Sequence, residues 1–425
     1  RERVRVVEIK DDDDSRCNHF FLFVRLGCLC RVGKSVGMGS CLSLTEASSL
    51  PSMDACDEPL CSPITFSDYR IEMRVHRVPG RLFLNGSSQV ASLFCKQGNG
   101  TINQDAMLLW DNFCSKDDAV FCGVFDGHGP HGHLVAKKLR DSFPLKLIAQ
   151  WNSINPNTTY SYRNFFNTSF DDFQHDSVAP TNIATLRQSF VRACKTMDSE
   201  LRDQNQIDCS SSGSTAVILL KQGHDLVIAN VGDSRAVLAT QDRNGSLTAV
   251  QLTTDLKPDL PREAERIRIC KGRVFALKSE PWISRVWLPN VNSPGLAMSR
   301  AFGDFCLKDF GIISVPDFSY HRLTHRDQFV VLATDGVWDV LSNQEVVSIV
   351  ASTPRSSAAR ILVDAAVQAW KAKLPSSKVD DCSVVCLFLN SKSDLKPSTT
   401  NTDPSNDVEQ SSPTLLRVEP EEKCQ

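Results

Sequence analysis

This 425-residue sequence lacks a strong excess of charge of either sign, and its cysteines lack the paired spacing of a zinc site. The 47 basic and 50 acidic residues give a net charge of −3, so electrostatics provide no reason to expect a nucleic-acid partner. The 16 cysteines are scattered, and several lie inside apolar runs. We interpret them as buried, reduced thiols of a cytosolic protein.

Long hydrophobic runs are missing as well. The apolar stretch at 20–24 is followed by Arg25 and is too short to cross a bilayer. It also lacks the small-residue cleavage site that is typical of a signal peptide. The composition, 41% hydrophobic and 23% charged, is that of an ordinary globular protein, with room for one large domain or two smaller ones.

Short acidic motifs end or interrupt several of the apolar runs that are present. Carboxylates at strand ends, with glycine beside them, suit a hard divalent cation, because Mg²⁺ and Mn²⁺ take oxygen ligands and keep several waters. No cluster of cysteine and histidine competes for this role, so we expect a site for Mg²⁺ or Mn²⁺. The motifs are Asn103-Gln104-Asp105, Asp126-Gly127-His128-Gly129, Asp335-Gly336-Val337-Trp338-Asp339 and Asp380-Asp381.

The first methionine of the chain is Met38, and residue 1 is an arginine. Residues 38–43 read Met-Gly-Ser-Cys-Leu-Ser, which matches the N-myristoylation pattern if Gly39 becomes the amino terminus. Cys41 could then take a palmitoyl group, and two lipids matter because one myristoyl chain binds membranes only marginally. On this hypothesis 1–37 is a translated leader and Met38 is the working start. The alternative is an internal Met-Gly that is not modified.

The hydrophobic pattern divides the rest of the chain into three segments. Residues 38–90 form an N-terminal extension that carries the acylation signal and, from 44 on, mixes Ser, Pro and charges without periodicity. The globular pattern covers 91–390. Beyond it, 391–425 is rich in Ser, Thr, Asp, Pro and Glu and poor in apolar residues, so we expect a disordered tail.

Within 91–390, apolar runs of strand length are mixed with helical spacings, and 152–180 has no periodicity, as in an insertion or long loop. Asn244-Gly245 is a strong hairpin signal, and Ser342 with Glu345 forms a capping box. We predict an α+β domain with antiparallel sheets packed between helices. Predicted strands are 119–125, 215–220, 225–231, 235–240, 248–252, 329–334 and 383–389; predicted helices are 134–148, 186–201, 343–350 and 358–372.

The chemistry that fits these motifs is hydrolysis of a phosphate ester. Two cations about 4 Å apart, bridged by a carboxylate and a water, generate a hydroxide-like nucleophile for in-line attack on phosphorus. Asp126 is our candidate bridging ligand, and Gly127 allows a backbone carbonyl to approach the second cation. Asp335 and Asp380 are expected to complete the shell of the first. His128 could protonate the alkoxide that leaves from phosphoserine or phosphothreonine, because its pKa class suits neutral pH.

Each motif alone is weak, because Asp-Gly is also a common turn. The segment 232–235 lies between two predicted strands, and we interpret it as a tight hairpin in which Asp233 caps backbone amides. We interpret the tryptophans Trp282, Trp287 and Trp338 as packing residues.

Taken in order, eight motifs resemble those of the type 2C, metal-dependent serine/threonine protein phosphatases (the PPM family). The residues within these motifs are similar to those of the plant branch of the family. The resemblance covers about 90 to 390. The motifs lie at 96–106, 124–129 (Val-Phe-Asp-Gly-His-Gly), 213–216 (Gly-Ser-Thr-Ala), 229–236 (Ala-Asn-Val-Gly-Asp-Ser-Arg-Ala), 252–258 (Leu-Thr-Thr-Asp-Leu-Lys-Pro), 296–304 (Leu-Ala-Met-Ser-Arg-Ala-Phe-Gly-Asp), 333–339 (Ala-Thr-Asp-Gly-Val-Trp-Asp) and 380–385 (Asp-Asp-Cys-Ser-Val-Val).

The resemblance implies an α/β/β/α sandwich: two antiparallel sheets packed face to face and flanked by helix pairs, with a binuclear metal site at one edge. It implies that Asp126 bridges two Mg²⁺ or Mn²⁺ ions and that Gly127 binds through its carbonyl. Asp335 and Asp380 would bind the first ion, and Asp105 would act through a metal-bound water.

The resemblance also implies two further roles. Asp255 and Asp339, together with Asp335, match the position of a weaker third metal in the family. His128 matches the family's general acid.

Two positions depart from the animal members of the family. Those members have Glu where this chain has Gln104, which brings no charge and would weaken binding of the second metal. They also have an arginine for the substrate phosphate where this chain has Gly100. Lys96 could substitute only as a point charge.

The sequence therefore predicts an active phosphatase of phosphoserine and phosphothreonine in phosphoproteins. The alternative is a pseudophosphatase or a membrane-anchored scaffold that binds phosphoproteins, which only Gln104 and Gly100 favour. We expect a monomer with no nucleic-acid partner. It would lie at the cytoplasmic face of the plasma membrane if Gly39 is acylated, and otherwise in the cytoplasm or nucleus.

Overall fold

The computed structural model describes residue 76 and residues 78–115, 118–154, 183–373 and 379–389, together with the backbone of 416–417. The predicted lipidation sites Gly39 and Cys41 lie outside the described residues, as does the whole of 1–37. Most of the predicted insertion at 152–180 and of the predicted tail at 391–425 lies outside them too.

Short strands dominate the described chain. The strands are β1 (Arg81–Leu82), β2 (Gly86–Ser87), β3 (Ala91–Lys96), β4 (Asp105–Asp111), β5 (Ala119–His128), β6 (Gly213–Ser214), β7 (Ala216–Gln222), β8 (Asp225–Val231), β9 (Arg235–Gln241), β10 (Leu247–Gln251), β11 (Arg273–Ala276), β12 (Ser284–Trp287), β13 (Phe302–Gly303), β14 (Asp317–Arg322), β15 (Asp327–Ala333), β16 (Cys382–Phe388) and β17 (Leu416–Arg417). The helices are α1 (Gly132–Ile154), α2 (Ile183–Asp203), α3 (Pro261–Ile269), α4 (Phe305–Lys308), α5 (Asp335–Trp338), α6 (Asn343–Ala351) and α7 (Ala358–Lys373).

Most of the strands belong to two antiparallel sheets. The first sheet is nine-stranded, with the order β1-β4-β5-β7-β8-β14-β17, and the short strands β6 and β13 extend it beside the end of β5. The second sheet is six-stranded, with the order β10-β9-β15-β16-β3-β2. Strands β11 and β12 form a separate hairpin.

The two sheets pack face to face, and a pair of helices covers each outer face. In β5, Phe121 packs with residues of α1 and α2, whereas Cys122 packs against the second sheet. In β15, Val331 packs with residues of α6 and α7, whereas Val330 packs against the first sheet. Because successive side chains point to opposite faces and both faces are covered, these strands appear in the sequence as continuous apolar runs. The predicted α/β/β/α sandwich is confirmed.

The predicted helices are also confirmed, with slightly wider bounds. At the start of α6, the Ser342 hydroxyl accepts a hydrogen bond from the Glu345 amide (3.3 Å), and the Glu345 carboxylate accepts one from the Ser342 amide (2.7 Å). This is the predicted capping box.

The crossing from β8 to β9 corrects one prediction. Strand β8 belongs to the first sheet and β9 to the second, so 232–235 carries the chain between sheets and the hairpin interpretation is wrong. The Gly232 backbone has φ +103°, and a Cβ there would lie 2.6 Å from Thr215 Cγ2. Sequence spacing reveals that two strands are close in the chain but not that they belong to different sheets.

Strand β14 was not predicted, because its polar residues hide the alternation of a buried strand. Ser319 and His321 are buried. The Ser319 hydroxyl donates to the Leu252 carbonyl (2.8 Å), and the His321 ring is hydrogen-bonded to the Asp327 carboxylate (3.0 Å). Paired in this way, polar side chains can face the second sheet at little cost.

The two outer edges formed by β10 and β14 are closed differently. The Gln344 side chain on α6 accepts a hydrogen bond from the Ala249 amide and donates one to the Leu247 carbonyl, both at 3.1 Å. A carboxamide thus takes the place of a neighbouring strand along β10. At β14, the backbone of β17 adds an antiparallel strand, and so part of the predicted disordered tail 391–425 is a strand. Strands β1 and β2 likewise lie in the predicted loosely ordered extension.

The remaining predictions about residue classes can be checked within the described ranges. The described cysteines are free thiols that are buried or half-buried. Trp287 and Trp338 are packed, with 4% and 6% exposure, whereas Trp282 is 78% exposed and its interpretation as a packing residue is wrong. Among the described residues, every helix is too short or too polar to traverse a bilayer.

Candidate metal centre

Carboxylates from separate segments of the chain converge at one end of the sandwich. Asp105 begins β4 and is the register partner of Asp126 near the end of β5, so their side chains are neighbours across the sheet. Asp335 lies two residues after the end of β15, and Asp380 lies two residues before the start of β16. Strands β15 and β16 pair in the second sheet, which brings these two carboxylates to the same end.

Asp105 is buried, and only one of its two carboxylate oxygens has a hydrogen-bond partner among the described residues. Its Oδ2 accepts a hydrogen bond from the Thr334 hydroxyl at 2.9 Å, and that hydroxyl also accepts one from the Ser383 amide at 3.0 Å. Its Oδ1 has no hydrogen-bond partner among the described residues. Burial and the charge of Asp381 raise the pKa of Asp105 well above its usual range. A buried carboxylate oxygen without a partner is costly, which fits a position beside a bound cation or its water.

The neighbouring carboxylates are perturbed in the same direction. Burial and the charges of Asp335 and Asp105 raise the pKa of Asp126 well above its usual range. Burial and the charge of Asp233 raise the pKa of Asp335 to about 7. Burial and Asp335 also raise the pKa of Asp380. Like charges that share a poorly solvated site raise one another's pKa, and a bound cation would relieve that repulsion.

Gly127 lies where no side chain fits. A Cβ at this position would lie 2.3 Å from the Gly132 carbonyl oxygen and 2.6 Å from that of Gln104. The Gly127 amide donates to the same Gln104 carbonyl (3.2 Å). The backbone at the end of β5 is therefore pressed against the start of α1, and only glycine is compatible with this approach.

Gln104 forms hydrogen bonds to two other loops of the site, those of Gly129 and Asp381. Its side-chain amide donates to the Gly129 carbonyl (2.6 Å), and its backbone amide donates to the Asp381 carboxylate (2.7 Å). The second oxygen of Asp381 accepts from the Gly98 amide (2.8 Å). Gln104 thus fixes the segments that carry Asp105 and Gly127 relative to each other, a role that a neutral carboxamide performs well.

Asp233 belongs to the carboxylate group, although the sequence analysis assigned it to a turn. It is 1% exposed, forms an ion pair with Lys257, and its Oδ1 has no hydrogen-bond partner among the described residues. Its charge contributes to the raised pKa of Asp335 and of Asp339. Lys257 places an ammonium group beside these carboxylates.

Asp255 has other partners. Its two oxygens accept hydrogen bonds from the Arg235 guanidinium at 3.0 and 2.5 Å. That guanidinium also donates to Asn343 (2.6 Å) and lies 5.0 Å from the centre of the Trp338 ring. Of the two aspartates, Asp233 is therefore the better placed to join Asp335 and Asp339 as a cation ligand.

His128 ends β5 and is paired with Asp304, the last residue of the motif at 296–304, to which the sequence analysis gave no role. Its Nε2 lies 2.6 Å from Asp304 Oδ2, and its Nδ1 is buried without a hydrogen-bond partner among the described residues. Burial alone lowers the pKa of His128, but the charge and hydrogen bond of Asp304 outweigh it and raise the pKa above its usual value. The protonated ring, which can donate a proton, is thus favoured.

Gly100, one of the two positions that depart from the animal pattern, and Lys96, its possible substitute, lie at the rim of the site. The Lys96 ammonium forms an exposed ion pair with Asp364 on α7 (2.9 Å). Gly100 is exposed, and its carbonyl accepts a hydrogen bond from the Gln97 side chain (2.8 Å). Neither residue gives the described site a bidentate cation for phosphate.

The donors present fit Mg²⁺ or Mn²⁺. They are carboxylate oxygens, and this is the oxygen-rich chemistry that these ions prefer. Among the described residues, no three His, Cys, Asp or Glu side chains form a ready-made cage for an ion.

Comparison with families of known sequence identifies the relatives of this chain. The family model described as protein phosphatase 2C matches residues 91–372. "Probable protein phosphatase 2C 33" of Arabidopsis thaliana is 52% identical over 402 residues, covering 83% of this chain and 80% of that protein. "Probable protein phosphatase 2C 14" of Oryza sativa subsp. japonica is 51% identical over 378 residues, covering 86% and 72%.

Solved structures give a consistent result. A serine-threonine phosphatase 2C from Toxoplasma gondii superposes with a TM-score of 0.62 at 25% identity, covering 73% of this chain and 99% of that one. A sex-determining protein from C. elegans gives a TM-score of 0.54 at 20% identity, covering 72% and 67%, which shows the shared fold alone.

Proposed function

As this chain belongs to the protein phosphatase 2C family, we propose that the carboxylates at the end of its sandwich hold the divalent cations on which its activity depends. The chain is a metal-dependent protein serine/threonine phosphatase, and its substrates are phosphoproteins. The scaffold alternative is not favoured.

We assign the ligands of two Mg²⁺ or Mn²⁺ ions as follows. Asp126 would be a ligand common to both ions, Asp335 and Asp380 would hold the first, and the Gly127 carbonyl would hold the second. Asp105 would act through a water. The observation that carries this assignment is the convergence of the carboxylates of Asp105, Asp126, Asp335 and Asp380 at one end of the sandwich. Asp105 Oδ1 has no hydrogen-bond partner among the described residues, and burial and the charge of Asp233 raise the pKa of Asp335, as a position beside a cation requires.

A third and weaker cation position would use Asp335, Asp339 and Asp233. The sequence analysis predicted Asp255 for this role, but its oxygens are engaged by Arg235. The Lys257 ammonium beside Asp233 competes with a third cation for the same charge, which explains why this position would be weak.

The chemistry divides between the cations and the protein. When bound, the cations neutralise the phosphate and lower the pKa of a water so that it can attack phosphorus. As the new P–O bond forms, the bond from phosphorus to the serine or threonine oxygen breaks, and that oxygen keeps the electron pair. His128 donates a proton to it, becomes neutral, and regains a proton from solvent.

The test is phosphate release from a phosphothreonine peptide with Mg²⁺, with Mn²⁺ and with excess chelator. Asp126→Asn should abolish turnover and Mn²⁺ binding by calorimetry, whereas Asp203→Asn, at an exposed position on α2, should change neither. Turnover that persists in Asp126→Asn would overturn the metal assignment. A wild type that binds phosphopeptide but never hydrolyses it would favour the scaffold.

The location of the protein is a separate proposal. The sequence 38–43 supports myristoylation of Gly39 and palmitoylation of Cys41, which would hold a monomer at the cytoplasmic face of the plasma membrane. Protein expressed from Met38 should shift from the membrane to the soluble fraction on Gly39→Ala. Unchanged fractionation would contradict acylation, and the protein would then be expected in the cytoplasm or nucleus.

A further inference from the structure

Three short strand segments meet beside the metal centre. Gly213 in β6 pairs on one side with His128 at the end of β5 and on the other with Gly303 in β13. Asp304 follows Gly303 directly. The imidazole of His128 and the carboxylate of Asp304, which are 176 residues apart in the chain, therefore approach each other across a single glycine.

Gly213 leaves the space in which these two side chains meet. A Cβ at this position would lie 2.2 Å from Asp304 Oδ2, 2.4 Å from the Phe302 carbonyl oxygen and 2.7 Å from His128 Nε2. Real Cβ atoms do not approach other atoms so closely, so any side chain here would separate the imidazole from the carboxylate. The contact between His128 and Asp304 therefore depends on the backbone positions of β5, β6 and β13.

Asp304 is held in an uncommon backbone conformation. Its φ of 50° and ψ of 44° lie in the left-handed region, which costs free energy for a residue other than glycine. Its amide donates to the Ser212 carbonyl at 3.0 Å. The preceding Gly303 has φ +76°, and a Cβ there would lie 2.4 Å from that same carbonyl oxygen.

An ion pair between Asp198 and Lys308 holds the turn that carries Asp304. Asp198 on α2 accepts a hydrogen bond from the Gly303 amide at 2.9 Å and one from the Lys308 ammonium at 2.7 Å. The Lys308 ammonium also donates to the Ala301 carbonyl at 2.8 Å. The side chains of Asp198 and Lys308 are only 13% and 9% exposed. Charge-assisted bonds of this kind hold the turn at both of its ends.

We propose that Asp304 is the positioning residue for His128, and that Asp198 and Lys308 fix the turn that presents it. With Nε2 engaged by Asp304, Nδ1 is the ring nitrogen left to protonate the leaving oxygen of the substrate. Asp304 does not touch the substrate; it fixes the orientation of the imidazole through the contact with Nε2. This inference rests on the proposed role of His128 as general acid.

Two substrates with different leaving groups test the inference. The alkoxide that leaves from phosphothreonine needs a proton, whereas p-nitrophenolate leaves from p-nitrophenyl phosphate without one. Asp304→Asn and Gly213→Ala should each lower kcat on a phosphothreonine peptide about 10- to 100-fold. The same variants should keep KM for the peptide, kcat on the aryl phosphate within about twofold, and the Mn²⁺ affinity of the wild type.

Matched variants separate positioning from general damage. Gly86→Ala, where a Cβ would meet only the Leu84 carbonyl oxygen at 3.9 Å, should leave both activities unchanged. Asp198→Ala, which removes the acceptor of the Gly303 amide, should show the same selective loss at about 3- to 10-fold. The double variant His128→Asn/Asp304→Asn should be no slower than His128→Asn alone, because the two residues act as one unit.

The outcomes distinguish the inference from the function on which it rests. If His128→Asn is selective for the phosphopeptide but Asp304→Asn and Gly213→Ala slow both substrates equally or neither, His128 remains the general acid and the positioning role is wrong. If His128→Asn itself shows no selectivity, the general-acid assignment fails. Selective loss in all of these variants, with a non-additive double variant, supports the inference.

Discussion

Two groups of buried carboxylates in this protein have opposite surroundings. Glu263 on α3 is 3% exposed, and Asp105 in the metal centre is 7% exposed. Burial alone would raise the pKa of both. Hydrogen bonds and charges from Arg300 and Arg266 lower the pKa of Glu263 to about 2, whereas further carboxylates keep the pKa of Asp105 raised.

The difference teaches how to recognise a site. Asp141 resembles Glu263: its burial is outweighed by Arg140 and Arg81, and its pKa is lowered to about 2. In these groups the protein supplies its own counter-charge, and the carboxylate stabilises the fold. Where the chain gathers carboxylates and leaves most of them without a cation, as around Asp126 and Asp335, the missing charge comes from a ligand.

The largest expected effect comes from removing the bridging carboxylate. Asp126→Asn should reduce hydrolysis at least about 10³-fold, because the proposed cations lose their shared ligand. The same variant should raise the melting temperature of the metal-free protein, because one of several repelling charges is gone. Phosphate release and thermal melts in chelator check both. A metal-free variant less stable than wild type would mean that Asp126 is compensated like Glu263.

Neutralising a carboxylate that is paired with arginine, such as Glu263, should have the opposite effect and lower the stability of the protein. Glu263→Gln removes the carboxylate that pairs with the side chains of Arg266 and Arg300, each 9% exposed, and should lower the free energy of unfolding by about 3 kcal/mol. Denaturant titration measures the loss. Glu265→Gln, which breaks the exposed pair with Arg268 on the same helix, is the matched control and should leave stability unchanged. Equal effects of the two variants would contradict the comparison.

Added metal should stabilise the folded protein only by binding the carboxylates around Asp126 and Asp335. Mn²⁺ at 100 times its dissociation constant should raise the free energy of unfolding by about 2.7 kcal/mol, since it binds the folded state. Thermal melts across a Mn²⁺ titration measure this shift. In Asp126→Asn the shift should disappear, whereas in Glu263→Gln it should persist on a lower baseline. A metal-dependent shift that survives Asp126→Asn would place the cations elsewhere.

The smallest expected effect concerns acid stability. Burial raises the pKa of Asp327, but hydrogen bonds from His321 and from the Thr324 amide lower it to about 2, against a usual value of 3.8. A carboxylate with a lowered folded-state pKa stabilises the protein above its unfolded value and loses that contribution as pH falls towards 2. The contribution is about 2 kcal/mol.

Denaturant titrations between pH 4.5 and about 2 test the acid prediction. The wild type should lose stability more steeply than Asp327→Asn over this range, because the variant has no proton to take up at this position. Parallel curves would show that Asp327 does not contribute.

Much of this architecture could be predicted from the sequence, because the strands are buried on both faces and appear as apolar runs. The placement of Asp126 and Asp335 at one end of the sandwich could be predicted as well, because each directly follows an apolar run in the sequence. A position in the fold is thus predictable where the local element alone determines it. Strand β14 was missed because its buried residues Ser319 and His321 are polar and interrupt the apolar pattern.

Residues whose roles depend on distant partners could not be predicted. Asp233 resembles a turn residue, and only the passage of the chain between sheets places it among the carboxylates. Asp255 resembles a ligand, and only the folded structure shows that Arg235 engages it. The pairing of Asp304 with His128 depends on the junction at Gly213. None of these contacts leaves a periodicity in the sequence.

The carboxamide of Gln344 imitates a peptide group along the edge of β10. An open sheet edge is a template for self-association, so this one side chain also protects the protein in concentrated solution. The protection lasts only while α6 remains folded against the sheet. Self-association through this edge is therefore expected to depend on how firmly α6, which supplies none of the proposed metal ligands, is held against the sheet.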